Sequence, residues 1–171
     1  MSYEQLPKKI DPIKFVTLET SLSGTINLED MTRLSACIEG GDPLVSADLK
    51  FYRSRQGFRI IEGSCRAQVN LLCQRCLEPT AVPLEAKIAL VIVSDDERAK
   101  KLPKQYDALI LQETPISLAE MVEEELLLCL PSVPRHSDEQ CNASMSDYED
   151  SEAVEVTKPN PFDVLSTLKK E

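Results

Sequence analysis

Between Val45 and Ile92 the chain runs through three stretches in which apolar and polar residues alternate. Val45, Ala47, Leu49 and Phe51 alternate with Ser46, Asp48, Lys50 and Tyr52. A period of two puts apolar side chains on one face of a strand, whereas a helix would scatter them around its axis. Ser54-Arg55-Gln56-Gly57 supplies turn residues, so a hairpin is expected there. On the return, Ile61, Gly63, Cys65, Ala67, Val69, Leu71 and Cys73 share one face, with Glu62, Ser64, Arg66, Gln68 and Asn70 on the other. Ile60-Ile61 breaks the phase, which predicts a β-bulge. After a turn at Cys73–Cys76 the pattern resumes through Val82, Leu84, Ala86, Ile88, Leu90 and Ile92. Long alternating strands joined by short turns predict an antiparallel meander with one buried face.

Helical signals flank this meander. Leu6-Pro7 and Asp11-Pro12 favour extended or turning backbone near the start. Asn27 has the character of an N-cap, with Leu28, Met31, Leu34 and Ile38 following at helical spacing and Gly40-Gly41 ending the element. Between residues 94 and 115 a charged, Pro-containing connection has room for a short helix and for a short strand at Leu109-Ile110-Leu111. Ser117-Leu118-Ala119-Glu120 is a capping box, predicting a helix to about Leu130, stopped by Pro131. Leu118, Met121, Val122 and Cys129 share a face of it with Glu125 in the middle. That carboxylate is either at a wet edge or buried against an arginine or a partner, since an unpaired buried charge is too costly. From Ser137 to Val156 there are seven Asp or Glu and no Lys or Arg, the composition of loop or disorder. Asn160-Pro161 then starts a short helix with Phe162, Leu165 and Leu168 in one stripe. Too short to stand alone, it must dock on the core or on a partner.

The expected fold class is therefore α+β: a curved antiparallel β-meander, left open or closing toward a barrel, flanked by a few helices. The expected organisation is a core domain over 1–135, an acidic flexible segment over 136–159 and a C-terminal amphipathic helix over 160–171. With 171 residues, one core of useful size is expected. The chain opens without a signal-like segment, and its longest apolar stretches, 88–93 and 126–131, are far too short to span a bilayer. A soluble, cytoplasmic protein is expected.

Nineteen Lys and Arg against 29 Asp and Glu give a net charge of −10. Bulk electrostatics thus favour basic partners and oppose indiscriminate nucleic-acid binding. No glycine-rich phosphate loop is present, and a single His with no nucleophile elbow leaves no catalytic constellation to assemble. No enzymatic activity and no small-molecule substrate are expected.

Three features carry chemistry. Cys73-Gln74-Arg75-Cys76 offers two soft donors, and His136 with Cys141 offers two more. Three thiols and one imidazole suit tetrahedral zinc, but reduced exposed thiols or a redox pair have the same sequence signature. Cys37, Cys65 and Cys129 sit within apolar periodicity and are expected in the core. Lys50, Arg53, Arg55, Arg59 and Arg66 interleave with Phe51, Tyr52 and Phe58 on the first hairpin. That mixture can hold phosphates and stack bases, or it is a solvated hairpin balancing acidic neighbours. Partner contacts are expected at Glu125 and at the tail stripe of Phe162, Leu165 and Leu168, while the acidic segment could hold a basic protein.

Four stretches together resemble the bacterial YceD family, the large ribosomal RNA subunit accumulation proteins. They are Leu6-Pro7 through Asp11-Pro12, Cys73–Cys76, Met121–Pro131 with Val133-Pro134, His136 and Cys141, and Lys158–Phe162 with Leu165 and Leu168. The resemblance spans nearly the whole chain in the right order. It implies a cytoplasmic, non-enzymatic role in producing or maintaining 23S ribosomal RNA. The expected partners are a preribosomal large-subunit particle, 23S RNA itself or a basic ribosomal protein. Some branches of the family carry further cysteines in the second half-site; this chain has none after Cys141.

Overall fold

A computed structural model describes residues 4–137 together with Cys141. These fall in one compact unit that ends at Cys141. Most of the acidic segment and the tail stripe of Phe162, Leu165 and Leu168 lie outside the described residues.

The alternating region forms three long strands, β3 (Leu44–Arg53), β4 (Arg59–Leu72) and β5 (Pro79–Val93). Two more join them: β2 (Ser21–Asn27) beside β3 and β6 (Asp107–Ile110) beside β5. The sheet order is β2-β3-β4-β5-β6. All pairings are antiparallel except β5–β6, which is parallel. β2 and β6 remain edges, so the sheet is open and does not close into a barrel. A separate two-stranded sheet pairs β1 (Lys9–Ile10) with β7 (Ile116–Ser117).

The expected bulge is absent. Ile60 stands opposite Tyr52 and Val91, and Ile61 opposite Phe51 and Leu90, in unbroken register. Ile61 enters the main core, while Ile60 joins Val91, Val93, Phe58, Leu102 and Tyr106 in a second cluster on the other face. Two neighbouring isoleucines thus mark burial on both faces at one end of the sheet. The Ser54–Gly57 turn forms as expected, the Gly57 N–H donating to the Ser54 carbonyl at 2.9 Å. Gly57 has φ +89°, a backbone setting that glycine adopts without a Cβ clash.

Helices cover the main face. α1 (Pro12–Thr17) starts where only turning backbone was expected; the Asp11 carboxylate accepts from the Ile13 and Lys14 N–H groups at 3.1 Å. The helix expected from Leu28 to Ile38 is instead a 3₁₀ turn, Leu28–Asp30, followed by a short α2 (Thr32–Ser35). Asn27 ends β2, and its side chain caps nothing. Leu28, Met31 and Leu34 are nevertheless buried, so the periodicity marked the core correctly. A short α3 (Asp96–Ala99) occupies the charged connection.

α4 (Leu118–Leu128) begins at the capping box, with the Ser117 hydroxyl accepting from the Glu120 N–H at 3.3 Å. Its buried face is rotated from the expected one, toward Ala119, Glu123 and Leu126. Glu123 is 2% exposed. One of its oxygens accepts from the Arg33 and Leu34 N–H groups at 2.7 and 2.9 Å. A carboxylate on α4 therefore caps α2, whose own N-cap residue, Met31, has no acceptor. Glu125 is half-buried, and burial followed by Asp107 and Glu124 raises its carboxyl above the usual value. Cys65 is buried as expected, its thiol pushed up to about 12 chiefly by burial. Cys37 and Cys129 are exposed, against expectation, because each follows the last turn of its helix rather than lying within the covered face. No helix among the described residues is long and apolar enough to cross a membrane.

Candidate functional site

The β4–β5 connection is a tight turn closed on both sides. The Leu77 N–H donates to the Cys73 carbonyl and the Cys73 N–H to the Glu78 carbonyl, each at 2.9 Å. Leu77 takes the left-handed conformation, φ +59°, needed to complete it. The chain leaving α4 is laid against this turn, with the Gln74 N–H donating to the Pro134 carbonyl at 2.9 Å. That contact delivers His136 to the turn, and Cys141 joins it.

Cys73, Cys76, His136 and Cys141 each present a ligand atom, all within 4.8 Å of one another. Metal–sulfur bonds of about 2.3 Å give a tetrahedral edge of roughly 3.8 Å, so modest contraction would bring these donors onto one ion. The imidazole is oriented for it. His136 Nε2 lies 3.1 Å from the Pro79 carbonyl, which can only accept. In the neutral ring that places the proton on Nε2 and turns the Nδ1 lone pair toward the sulfurs, with Cys76 Sγ at 3.3 Å. A backbone carbonyl on the far nitrogen is the usual way a histidine ligand is held.

The Cys73 thiol is also biased toward ligation. The Cys76 backbone N–H leads in holding the Cys73 thiol down to about 5, helped by the His136 and Arg75 N–H groups against burial. The His136 N–H donates to Cys73 Sγ at 3.4 Å. The Glu78 N–H lowers the Cys76 thiol, but burial and the Cys73 and Cys141 sulfurs outweigh it and leave that group raised. Cys73 raises the His136 imidazole, with burial opposing and the Pro79 carbonyl assisting. Arg75 Nε donates to Cys141 Sγ at 2.9 Å. The four residues can therefore hold a metal ion, with a guanidinium offsetting the negative charge of three thiolates. Arg75 and the Pro79 carbonyl were not legible as site groups in the sequence. Arg75 carried the one hint, by lying between the first two cysteines.

The basic hairpin residues separate. Arg53 and Arg59 line a cleft of about 450 Å³ at the other end of β4, while Lys50, Arg55 and Arg66 do not. Arg66 is exposed on the open face and pairs with Glu85 at 2.8 Å. Lys50 lies outward on β3, and Arg55 is at the turn tip. Arg98 and Lys101, from α3 and the residues after it, complete the cleft. Their place in the charged connection gave no sign that parallel pairing of β6 would fold them toward Arg59.

The family model described as "Large ribosomal RNA subunit accumulation protein YceD" matches residues 61–169, which include Cys73, Cys76, His136 and Cys141. The chain belongs to the YceD family. A relative from Haemophilus influenzae, named large ribosomal RNA subunit accumulation protein YceD, is 33% identical over 173 residues, covering 99% of each chain. The similarity thus includes the amino-terminal Leu6-Pro7 and Asp11-Pro12 stretch that precedes the YceD family match. No solved structure matches.

Proposed function

We propose that this chain is a non-enzymatic factor that promotes the synthesis, processing or stability of 23S ribosomal RNA, and so production of the large ribosomal subunit, in the bacterial cytoplasm. The observation that carries this reading is the end-to-end match to a relative named for accumulation of large-subunit ribosomal RNA. Its platform is the preribosomal large-subunit particle, engaged through 23S RNA or a basic ribosomal protein. The charge of −10 favours a basic protein for the acidic surfaces. Phe162, Leu165 and Leu168 are further candidates for that contact, with Glu125 the weaker one because it is half-buried.

Zinc is the metal that suits Cys73, Cys76, His136 and Cys141, given three thiolates and an imidazole. Four protein ligands fill a tetrahedral shell and leave no position for substrate, which supports a structural role. Bound there, zinc would fasten the exit of α4 to the β4–β5 turn. A thiol-redox role draws on the depressed Cys73 thiol, but that residue is 0% exposed and its sulfur is not presented to an incoming disulfide.

The test is a pull-down of tagged protein from growing cells, with and without nuclease, alongside the 23S-to-16S ratio in cells lacking the chain. Depleted 23S RNA and recovery of large-subunit components are expected. An unchanged ratio with no large-subunit component recovered would overturn the reading.

A further inference from the structure

The cleft at the hairpin end of the sheet stands apart from the chain's overall charge. Arg53, Arg59, Arg98 and Lys101 line it, and among the described residues no Asp or Glu does. Its floor is apolar, built from Phe58, Val91, Val93 and Leu102 among others. In a chain carrying ten more acids than bases, four cations converging on one concave surface are a local reversal of the field. Concave walls of low dielectric strengthen such a field.

The cations are only lightly used within the fold. Arg53 Nε donates to the Gly57 carbonyl at 3.3 Å. Arg98 meets Asp95 at 3.5 Å with most of its side chain in solvent. Asp95 lies beside the cleft, its carboxyl held below the usual range by the Ser94 hydroxyl first, then by the Arg98 N–H and the charges of Arg98 and Lys101. Arg59 and Lys101 make no side-chain hydrogen bond or ion pair among the described residues. By contrast, Arg66 on the open face is held by a carboxylate through two nitrogens. Phe58 gives the cleft an aromatic surface, half-buried and packed against the cluster of Ile60, Val91 and Val93.

We propose that this cleft binds a short single-stranded RNA segment, its phosphates on Arg59, Arg98, Lys101 and Arg53 and a base against Phe58. This rests on the 23S RNA reading above and makes the contact direct. Cations bordering an aromatic platform are the arrangement that holds single strands without reading sequence. The size decides between RNA forms. About 450 Å³ is within the range of small-molecule sites, roughly 300–1,000 Å³, enough for a nucleotide or two and too small for a duplex.

The experiment is fluorescence anisotropy of the purified full chain with a labelled single-stranded RNA of about twelve nucleotides, titrated over a range of salt. Saturable binding is expected. Its log–log salt slope should be about −2 to −3, from three or four phosphates at about −0.7 each. Arg59→Glu with Lys101→Glu should weaken binding at least tenfold and flatten the slope. Lys50→Glu, which reverses a charge outside the cleft, should leave both unchanged. Absence of saturable binding would overturn the proposal. So would equal loss in Lys50→Glu, or displacement by an acidic peptide or duplex RNA as effective as unlabelled single strand. The two readings fail separately. Loss of 23S RNA in cells without the chain, together with no RNA binding by the pure protein, removes the cleft alone. RNA binding by the cleft with unchanged 23S RNA removes the cellular role alone.

Discussion

The two ends of β4 teach opposite lessons about charge. At the end that leads into Cys73, the sulfurs and the imidazole turn toward one another. Sulfurs take backbone and guanidinium hydrogen bonds, the imidazole is held by a carbonyl, and Cys73 is out of solvent. At the Arg59 end, roughly 40 Å away along a strand of 14 residues, the cations face outward around an open cleft. Groups satisfied within the fold stabilise or position it, while groups left facing solvent are available to a partner. The first end has the character of a fastening, the second of a contact surface.

The largest effect should come from breaking the fastening. In zinc-loaded protein, His136→Ala is expected to weaken zinc binding by at least a hundredfold, read by competition with a chromogenic chelator. The same variant should keep its RNA salt slope, since sites this far apart act independently. A change in that slope would show the two ends to be one site.

Next is the carboxylate that ties α4 to α2. Glu123→Ala leaves the buried Leu34 N–H and the part-buried Arg33 N–H without their acceptor and should cost about 3 kcal/mol in chemical denaturation. Glu125→Ala, at a half-buried position, should cost less than about 1 kcal/mol. Equal losses would mean that the capping role of Glu123 is misassigned.

A smaller effect concerns Arg75, which acts on the ligand set through Cys141. Arg75→Ala should weaken zinc binding by roughly tenfold. Arg75→Lys should recover part of that, because it restores charge without the directed Nε–H donor. An unchanged zinc affinity in Arg75→Ala would remove its positioning role.

The smallest effect is a pH dependence. The folded value of the Glu125 carboxyl stands above its ordinary 4.5, so the folded chain holds that proton more tightly than the unfolded chain does. Stability on this account falls as the pH rises from about 4.5 through the folded value. Glu125→Gln should therefore melt slightly higher than the parent at about pH 7.5 and at the same temperature below about pH 4. The reverse order at neutral pH would show the ionised carboxylate to be favourably paired.

Much of this was legible in the chain. Period-two alternation placed β3, β4 and β5 and their buried faces residue by residue, because one-sided burial leaves strand register little freedom. The capping box placed α4, and the Cys and His inventory named the four residues that come together. What was not legible depended on tertiary context. The rotation of α4 goes with Glu123 turning in to cap α2 through the Arg33 and Leu34 N–H groups, which a wheel of α4 alone does not contain. Ile60-Ile61 reported a second cluster, which local phase could not distinguish from a bulge. Asp11-Pro12 carried the same cap-and-proline start as Asn160-Pro161, but six residues show too little periodicity to declare a helix. The basic cleft needed the parallel return of β6, a long-range pairing that brings Arg98 and Lys101 across to Arg59.

The most direct measurement is metal content and ligand environment in protein purified without a histidine tag under reducing conditions, by elemental analysis and X-ray absorption. One zinc per chain is expected, in a shell of three sulfurs and one nitrogen that is lost in Cys76→Ser. Absence of stoichiometric zinc, or zinc retained unchanged in Cys76→Ser, would contradict it.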